Sequence, residues 1–322
     1  MFLEFIRQIS NLPYFSTVSF GVLAMFLVGT SWCLIGLVMG SAPKKGIDTG
    51  LILLIGGLVS IIVSSCISFT TPISVSSSYK MTIFTLGMLF TSGFLNFFML
   101  KLMSLAMQKG PNGIIWSIIQ SAMVVNFIVG LLFFNAEFTV FKLLGIILLV
   151  FAIIGFGVAK DNSQKSCGNW KIITFCAFAI CALQQTINTM PAYFPESRQT
   201  SSILCTLATS SGTVSASIIF MLFTLSKEKI NNIKQNIQNP LLWKYVFALQ
   251  FFSLLFAYTL FYPGLFTMGK HGLGMVCFPM MVGSCILSFT LVGILILKEK
   301  IKPLQLFALI MCLSGLVFLA MK

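Results

Sequence analysis

The residues of this chain that could do chemistry inside its apolar runs are almost all uncharged. Trp116 and Gln120 stand four apart, as do Gln184 and Asn188, so each pair shares one face of a helix. Gln185 and Thr189 flank the second pair, Trp32 lies in the first apolar run, Asn96 in the third, and Tyr258 and Tyr262 in the eighth. An amide facing lipid leaves hydrogen bonds unmade, so these side chains must face protein or a wet cavity. Bonding between helices would account for each residue singly. Together they offer hydrogen bonds and stacking surfaces without charge, which suits a small neutral or zwitterionic solute better than an ion. Trp32, Asn96, Trp116, Gln120, Gln184, Asn188 and Tyr258 are therefore the candidate residues of a solute pathway.

Other chemistries find few reagents. All seven acids (Glu4, Asp48, Glu137, Asp161, Glu196, Glu228 and Glu299) fall in loops or at the ends of runs. No carboxylate is expected at membrane depth, where proton relays and ion sites are built. No acid–base pair or metal-ligand cluster is available for an enzyme, and no nucleophile-elbow, phosphate-loop or zinc pattern occurs. The expectation is a non-enzyme with no metal and no cofactor. The nine cysteines are scattered without a C-x-x-C and read as small apolar residues. His271, the one histidine, reads as an interfacial residue before the ninth run. Lys101 either snorkels to the head groups or faces a cavity. Thr206, Ser210, Thr213 and Ser217, like Ser60, Ser64 and Ser68, recur at the spacing of close helix packing.

The elements that must position these residues follow from composition. Of 322 residues 57% are hydrophobic and 8% charged, and the mean hydropathy is +1.00. Such a chain is not a soluble enzyme, a disordered protein or a disulfide-stapled domain. A spanning helix needs about 20 apolar residues. Ten apolar runs fit, at 18–40, 50–70, 82–105, 112–134, 139–158, 170–190, 200–225, 243–263, 272–297 and 303–321. They are continuous and twice the length of barrel strands, so they predict helices. The first is too long for a signal-peptide core and reads as a retained span. The longest connection, 226–242, reads as a loop. The net charge of +13 sits in the connections, where it serves orientation and contact with anionic lipid rather than nucleic acid.

The two halves match. Lys109 and Lys270 are 161 residues apart, as are Gly113 and Gly274, and Gly155 and Gly315 are 160 apart. Five spans per half is an odd number, so residues 1–160 and 161–322 would insert with opposite orientation as inverted repeats. Gly110, Pro111 and Gly113 in one half, and Gly274 and Pro279 in the other, are expected to break corresponding helices beside a binding site.

The stretch Leu105-Ala-Met-Gln-Lys-Gly-Pro-Asn-Gly113, the turn at Glu137 and the helix carrying Gly145 and Gly155 resemble the EamA-type repeat of the drug/metabolite transporter superfamily. So does Leu295-Ile-Leu-Lys-Glu299-Lys-Ile-Lys-Pro-Leu-Gln305 with Gly315. The chain departs from that pattern at Asn135-Ala136, where a glycine usually precedes the acid. The resemblance covers both halves. It implies an all-α integral membrane protein of ten helices, with a central cavity moving a small organic solute by alternating access, multi-pass in the cell (inner) membrane. A non-transporting receptor or scaffold with the same body is the alternative reading. The expected partners are a small-molecule solute and membrane lipids. Basic residues put the 160–169 and 226–242 connections in the cytoplasm and both termini outside; the resemblance implies the reverse.

Overall fold

The computed structural model describes residues 17–71, 73–110, 112–134, 138–159, 169–224, 226–295 and 303–321. Every regular element among them is helical. Helix α1 (Val18–Ser41) starts at Thr17, whose hydroxyl accepts the Phe20 amide at 3.2 Å. A tight turn over Pro43–Lys45 ends at Gly46, whose φ of 73° suits a residue without a Cβ. Helix α2 (Thr49–Thr70) is capped by Asp48, which accepts the Gly50 amide at 2.7 Å. Helix α3 (Tyr79–Lys109) is longer than the apolar run that predicts it.

The fourth run forms two helices, α4 (Asn112–Gln120) and α5 (Met123–Phe133). At the break the Ser121 hydroxyl bonds the Ile118 carbonyl at 2.6 Å, and Ala122, Val124 and Val125 bond three residues back instead of four. A serine competing for a backbone carbonyl bends a helix in this way. Helices α6 (Val140–Ala159), α7 (Trp170–Thr189) and α8 (Ser202–Phe223) follow. The connection read as a loop contains a helix, α9 (Lys227–Gln238). The eighth run is α10 (Pro240–Phe256), one π turn at Ala257–Phe261, and α11 (Tyr262–Lys270). Gly272, with φ 71°, turns the chain into a short 3-10 segment at Gly274–Val276. Helices α12 (Cys277–Leu295) and α13 (Pro303–Ala320) complete the described chain.

Among the described residues eight segments are long and apolar enough to cross a membrane: α1, α2, α3, Ile114–Phe133, Trp170–Tyr193, α8, Pro240–Lys270 and α13. Val140–Gly155 and Gly274–Ser288 are shorter apolar helices. The chain is a multi-pass helical membrane protein.

Helix α3 packs along α7 and α8, α2 along α8 and α10, α1 along α11 and α12, and α6 along α13. Glycines permit the closest crossings. A Cβ on Gly93 would collide with the Thr209 carbonyl, and one on Gly212 with the Phe90 carbonyl, so α3 and α8 touch backbone to backbone. Gly145 meets Gly315, and Gly155 meets Ala308, between α6 and α13. Without water to expel, such packing supplies much of the association between spanning helices.

Three expectations need correction. Pro279 does not interrupt the ninth span: it is the third residue of α12, in the first turn, where a missing N–H costs no helical bond. Gly113 likewise lies in the first turn of α4 rather than at a break. Lys142, one of the basic residues that the orientation count places on the side of the termini, is instead buried near the start of α6. Pro111, Glu137, Glu299 and Cys167 lie outside the described residues.

Candidate functional site

A cavity of about 210 Å³ lies among α1, α2, α3, α7, α8, α10 and the π turn. Trp32, Asn96, Gln184 and Asn188 line it, from three helices, α1, α3 and α7. Each is set by its helix. Trp32 leans on Phe278 of α12, with ring centroids 5.9 Å apart. Gln184 Nε2 donates to Ser92 Oγ at 3.1 Å, which pins the amide against α3. Asn188, one turn on, is 6% exposed, and its Oδ1 is buried with no hydrogen-bond partner among the described residues. Asn96 is half-buried on the cavity wall.

The remaining wall is hydroxyl and aromatic. Ser31, Ser60, Thr206, Thr209 and Ser210 supply hydroxyls, and Phe252, Phe256, Phe261 and Tyr262 supply rings. Leu249, Phe252, Ser253 and Phe256 recur at spacings of three and four, so one face of α10 looks into the space. No charged side chain lines it. Drug-sized pockets run to about 300–1,000 Å³, so this one fits a smaller molecule. The wall offers hydrogen bonds and stacking surfaces.

Three of the candidate residues lie elsewhere. Trp116 packs across Gly36 of α1, where an added Cβ would stand 3.2 Å from its ring. Gln120 ends α4, 7% exposed, with Oε1 unpartnered among the described residues. Tyr258 is turned to α2, its hydroxyl 2.5 Å from Ser64 Oγ. Since Ser64 donates to the Ser60 carbonyl at 2.6 Å, Tyr258 is the donor of that pair. Of the expected helix breaks, Gly110 ends α3 against the Trp170 ring, and Gly274 opens the 3-10 segment beside Tyr193. Neither touches the cavity.

Sequence reasoning noted Tyr262 without placing it among the pathway candidates, and passed over Thr209 and Gln250. Tyr262 and Thr209 share a 2.6 Å bond at the cavity wall. Ser60 Oγ donates to Gln250 Oε1 at 2.7 Å, tying α2 to α10. The four-residue spacing from Tyr258 marks Tyr262, but the π turn sends the two rings to different neighbours. The small-residue stripe divides: Thr206 and Ser210 line the cavity, while Thr213 donates to the Gly93 carbonyl at 3.0 Å.

One end of the bundle is closed by aromatic packing. Tyr193 stacks on Phe134 with centroids 4.1 Å apart, and Phe194 sets its edge against Phe84 at 5.3 Å. Arg198 Nε donates to the Ala192 carbonyl at 2.8 Å and Nη2 to that of Tyr193 at 3.4 Å, which fixes the turn bearing both rings. Burial pulls the Arg198 pKa below its ordinary value, and Glu196 partly offsets that. At the other end Lys101 Nζ pairs with Asp48 Oδ1 at 2.7 Å. Lys101 therefore reaches the acid that caps the start of α2 and does not line the cavity.

No family model matches the chain, and no curated protein does either. Twenty-eight solved chains share the fold. One of them, described as "Crystal structure of protein", superposes with a TM-score of 0.62 at 12% identity, covering 94% of this chain and 96% of its own. At that identity the likeness speaks for the fold alone.

Proposed function

We propose that this chain is a secondary transporter that moves a small neutral or zwitterionic organic solute across the cell (inner) membrane by alternating access. The observation that carries the reading is the uncharged cavity between helices of both halves, with Asn188 among its lining residues and the Oδ1 of that residue buried without a partner among the described residues. A buried acceptor left without a hydrogen costs about 1–3 kcal/mol. A solute N–H or O–H would remove that cost, while rings such as Trp32 and Phe256 cover its apolar part.

The packing supports two inverted repeats of five spans, as in the EamA-like drug/metabolite transporters. With α6 and α12 counted as the fifth and ninth spans, exchanging the halves maps the contact of the first and eighth spans onto that of the sixth and third. The pairs of second with seventh and fifth with tenth map onto themselves. The crossing of Gly145 with Gly315 maps onto that of Gly155 with Ala308, since 163 residues separate Gly145 from Ala308 and 160 separate Gly155 from Gly315. Two halves closing in turn on a fixed central site is how such repeats alternate access.

The experiment is a melting screen of the purified protein against amino acids, sugars and nucleobases, followed by counterflow in proteoliposomes with whichever compound stabilises it. Saturable exchange of an uncharged or zwitterionic compound is expected. Binding without exchange would make the protein a receptor. Selective stabilisation by a cation or a multivalent anion would overturn the cavity assignment.

A further inference from the structure

The polar segment Lys227–Gln238 folds as α9 and carries three isoleucines, Ile230, Ile233 and Ile237. At about 100° per residue its side chains fall in an ordered sequence around the axis. Asn236 points into the protein: it is 8% exposed and its Oδ1 accepts the Asp48 amide at 3.0 Å. Ile233, about 60° further round, is half-buried against the core cluster at this end of the bundle. Ile237 and Ile230 come next, 43% and 39% exposed. Lys234 and Lys227 follow, both exposed, and Gln238, Asn231 and Gln235 fill the far side. The order therefore runs from a docked amide through an uncovered apolar strip to a lysine edge.

That order fits a helix lying in a membrane surface, with its apolar strip down and its lysines at the level of the head groups. Trp243 stands beside the strip, 47% exposed, its Nε1 donating to the Ile237 carbonyl at 2.9 Å. Indole rings collect at that depth. Lys44, Lys45, Lys109 and Lys244 are exposed at the same end of the bundle, and Asp48 there is already paired with Lys101. The charge complement of this surface is anionic.

We propose that α9 is an interfacial helix that takes anionic phospholipid head groups on Lys227 and Lys234, with Ile230 and Ile237 seated among the upper acyl chains. The proposal does not depend on the transport reading. The Asn236 bond to the amide of Asp48, the residue that caps α2 and pairs with Lys101 of α3, seats the helix at the ends of both spans.

A photoreactive benzoylphenylalanine at position 230 or 237 of the full chain, in vesicles of equal parts phosphatidylcholine and phosphatidylglycerol, tests this by intact mass after irradiation. The expected product is a lipid adduct in which phosphatidylglycerol exceeds phosphatidylcholine. That excess should fall by about fivefold for each of Lys227→Gln and Lys234→Gln. The same probe at position 235 should yield no lipid adduct. Equal capture of the two lipids by the parent chain would overturn the anionic preference. A chain-to-chain cross-link, or no adduct at 230 and 237, would overturn the membrane seat.

Discussion

Asn188 and Gln120 are chemically alike and each has a buried, unpartnered side-chain oxygen, but only Asn188 borders the cavity. That contrast separates a residue kept for solute from one tolerated in packing. Asn188→Leu removes an unsatisfied acceptor at nearly equal volume. It is expected to leave stability unchanged or raised, within about 1 kcal/mol, while abolishing solute-induced stabilisation and exchange. Gln120→Met should match it in stability and keep both activities. Thermal melting with and without the solute identified by screening decides the point. An Asn188→Leu protein that still responds to that solute would remove Asn188 from the site. Trp116, Gln120 and Tyr258 show the limit of sequence reading at this scale. A polar residue in an apolar run must face inward, but whether it meets a cavity or a neighbouring helix depends on the rotation of each helix.

Spans meet in this protein through glycine and serine, and the position on a helix decides what a substitution does. A methyl at Gly93 has nowhere to go against the Thr209 carbonyl, whereas Gly87, two turns earlier on α3, has nothing within 4 Å. Gly93→Ala is expected to cost about 1–3 kcal/mol by overpacking, and Gly87→Ala to be neutral or stabilising by up to about 1 kcal/mol. Melting temperature in detergent, with monodispersity as a check, reads both. Equal behaviour of the two variants would mean that α3 and α8 do not cross at Gly93. The apolar runs locate the helices but not their irregularities. The bend at Ser121 and the π turn at Ala257–Phe261 sit in sequence as apolar as their surroundings, since such defects arise from competition for individual carbonyls. Helix α9 escapes a hydropathy reading for the opposite reason: its three isoleucines are diluted by nine polar residues.

The two ends of the molecule differ sharply in charge. Lys44, Lys45, Lys109, Lys171, Lys227, Lys234 and Lys244 are exposed at one end, and Lys80 and Lys270 at the other. The pairing of Lys101 and the burial of Lys142 remove one lysine from each side of the sequence tally and leave its sign unchanged. Basic connections stay in the cytoplasm, so the lysine-rich end, with α9, is expected inside. Among the described residues the native cysteines lie in apolar helices or beside them, which lets an added one report. Lys44→Cys should resist a membrane-impermeant maleimide in intact cells and react once the membrane is opened. Labelling in intact cells would reverse the orientation.

Length, apolar runs and the scarcity of charge determine by themselves that this chain is a bundle of spanning helices, because a bilayer tolerates no other use of so many continuous apolar residues. They also place every acid, and most of the lysines, in connections or at the ends of the runs. Only the tertiary structure decided which amides meet. Trp32, Asn96, Gln184 and Asn188 converge from three helices, over a span of 156 residues, and Tyr262 joins them because a π turn rotates it away from Tyr258. Those relations depend on helix rotation and on glycine-to-carbonyl approaches between distant segments. A one-dimensional pattern of apolar residues carries no information about either, because helices apolar on every side look alike whichever face they turn inward.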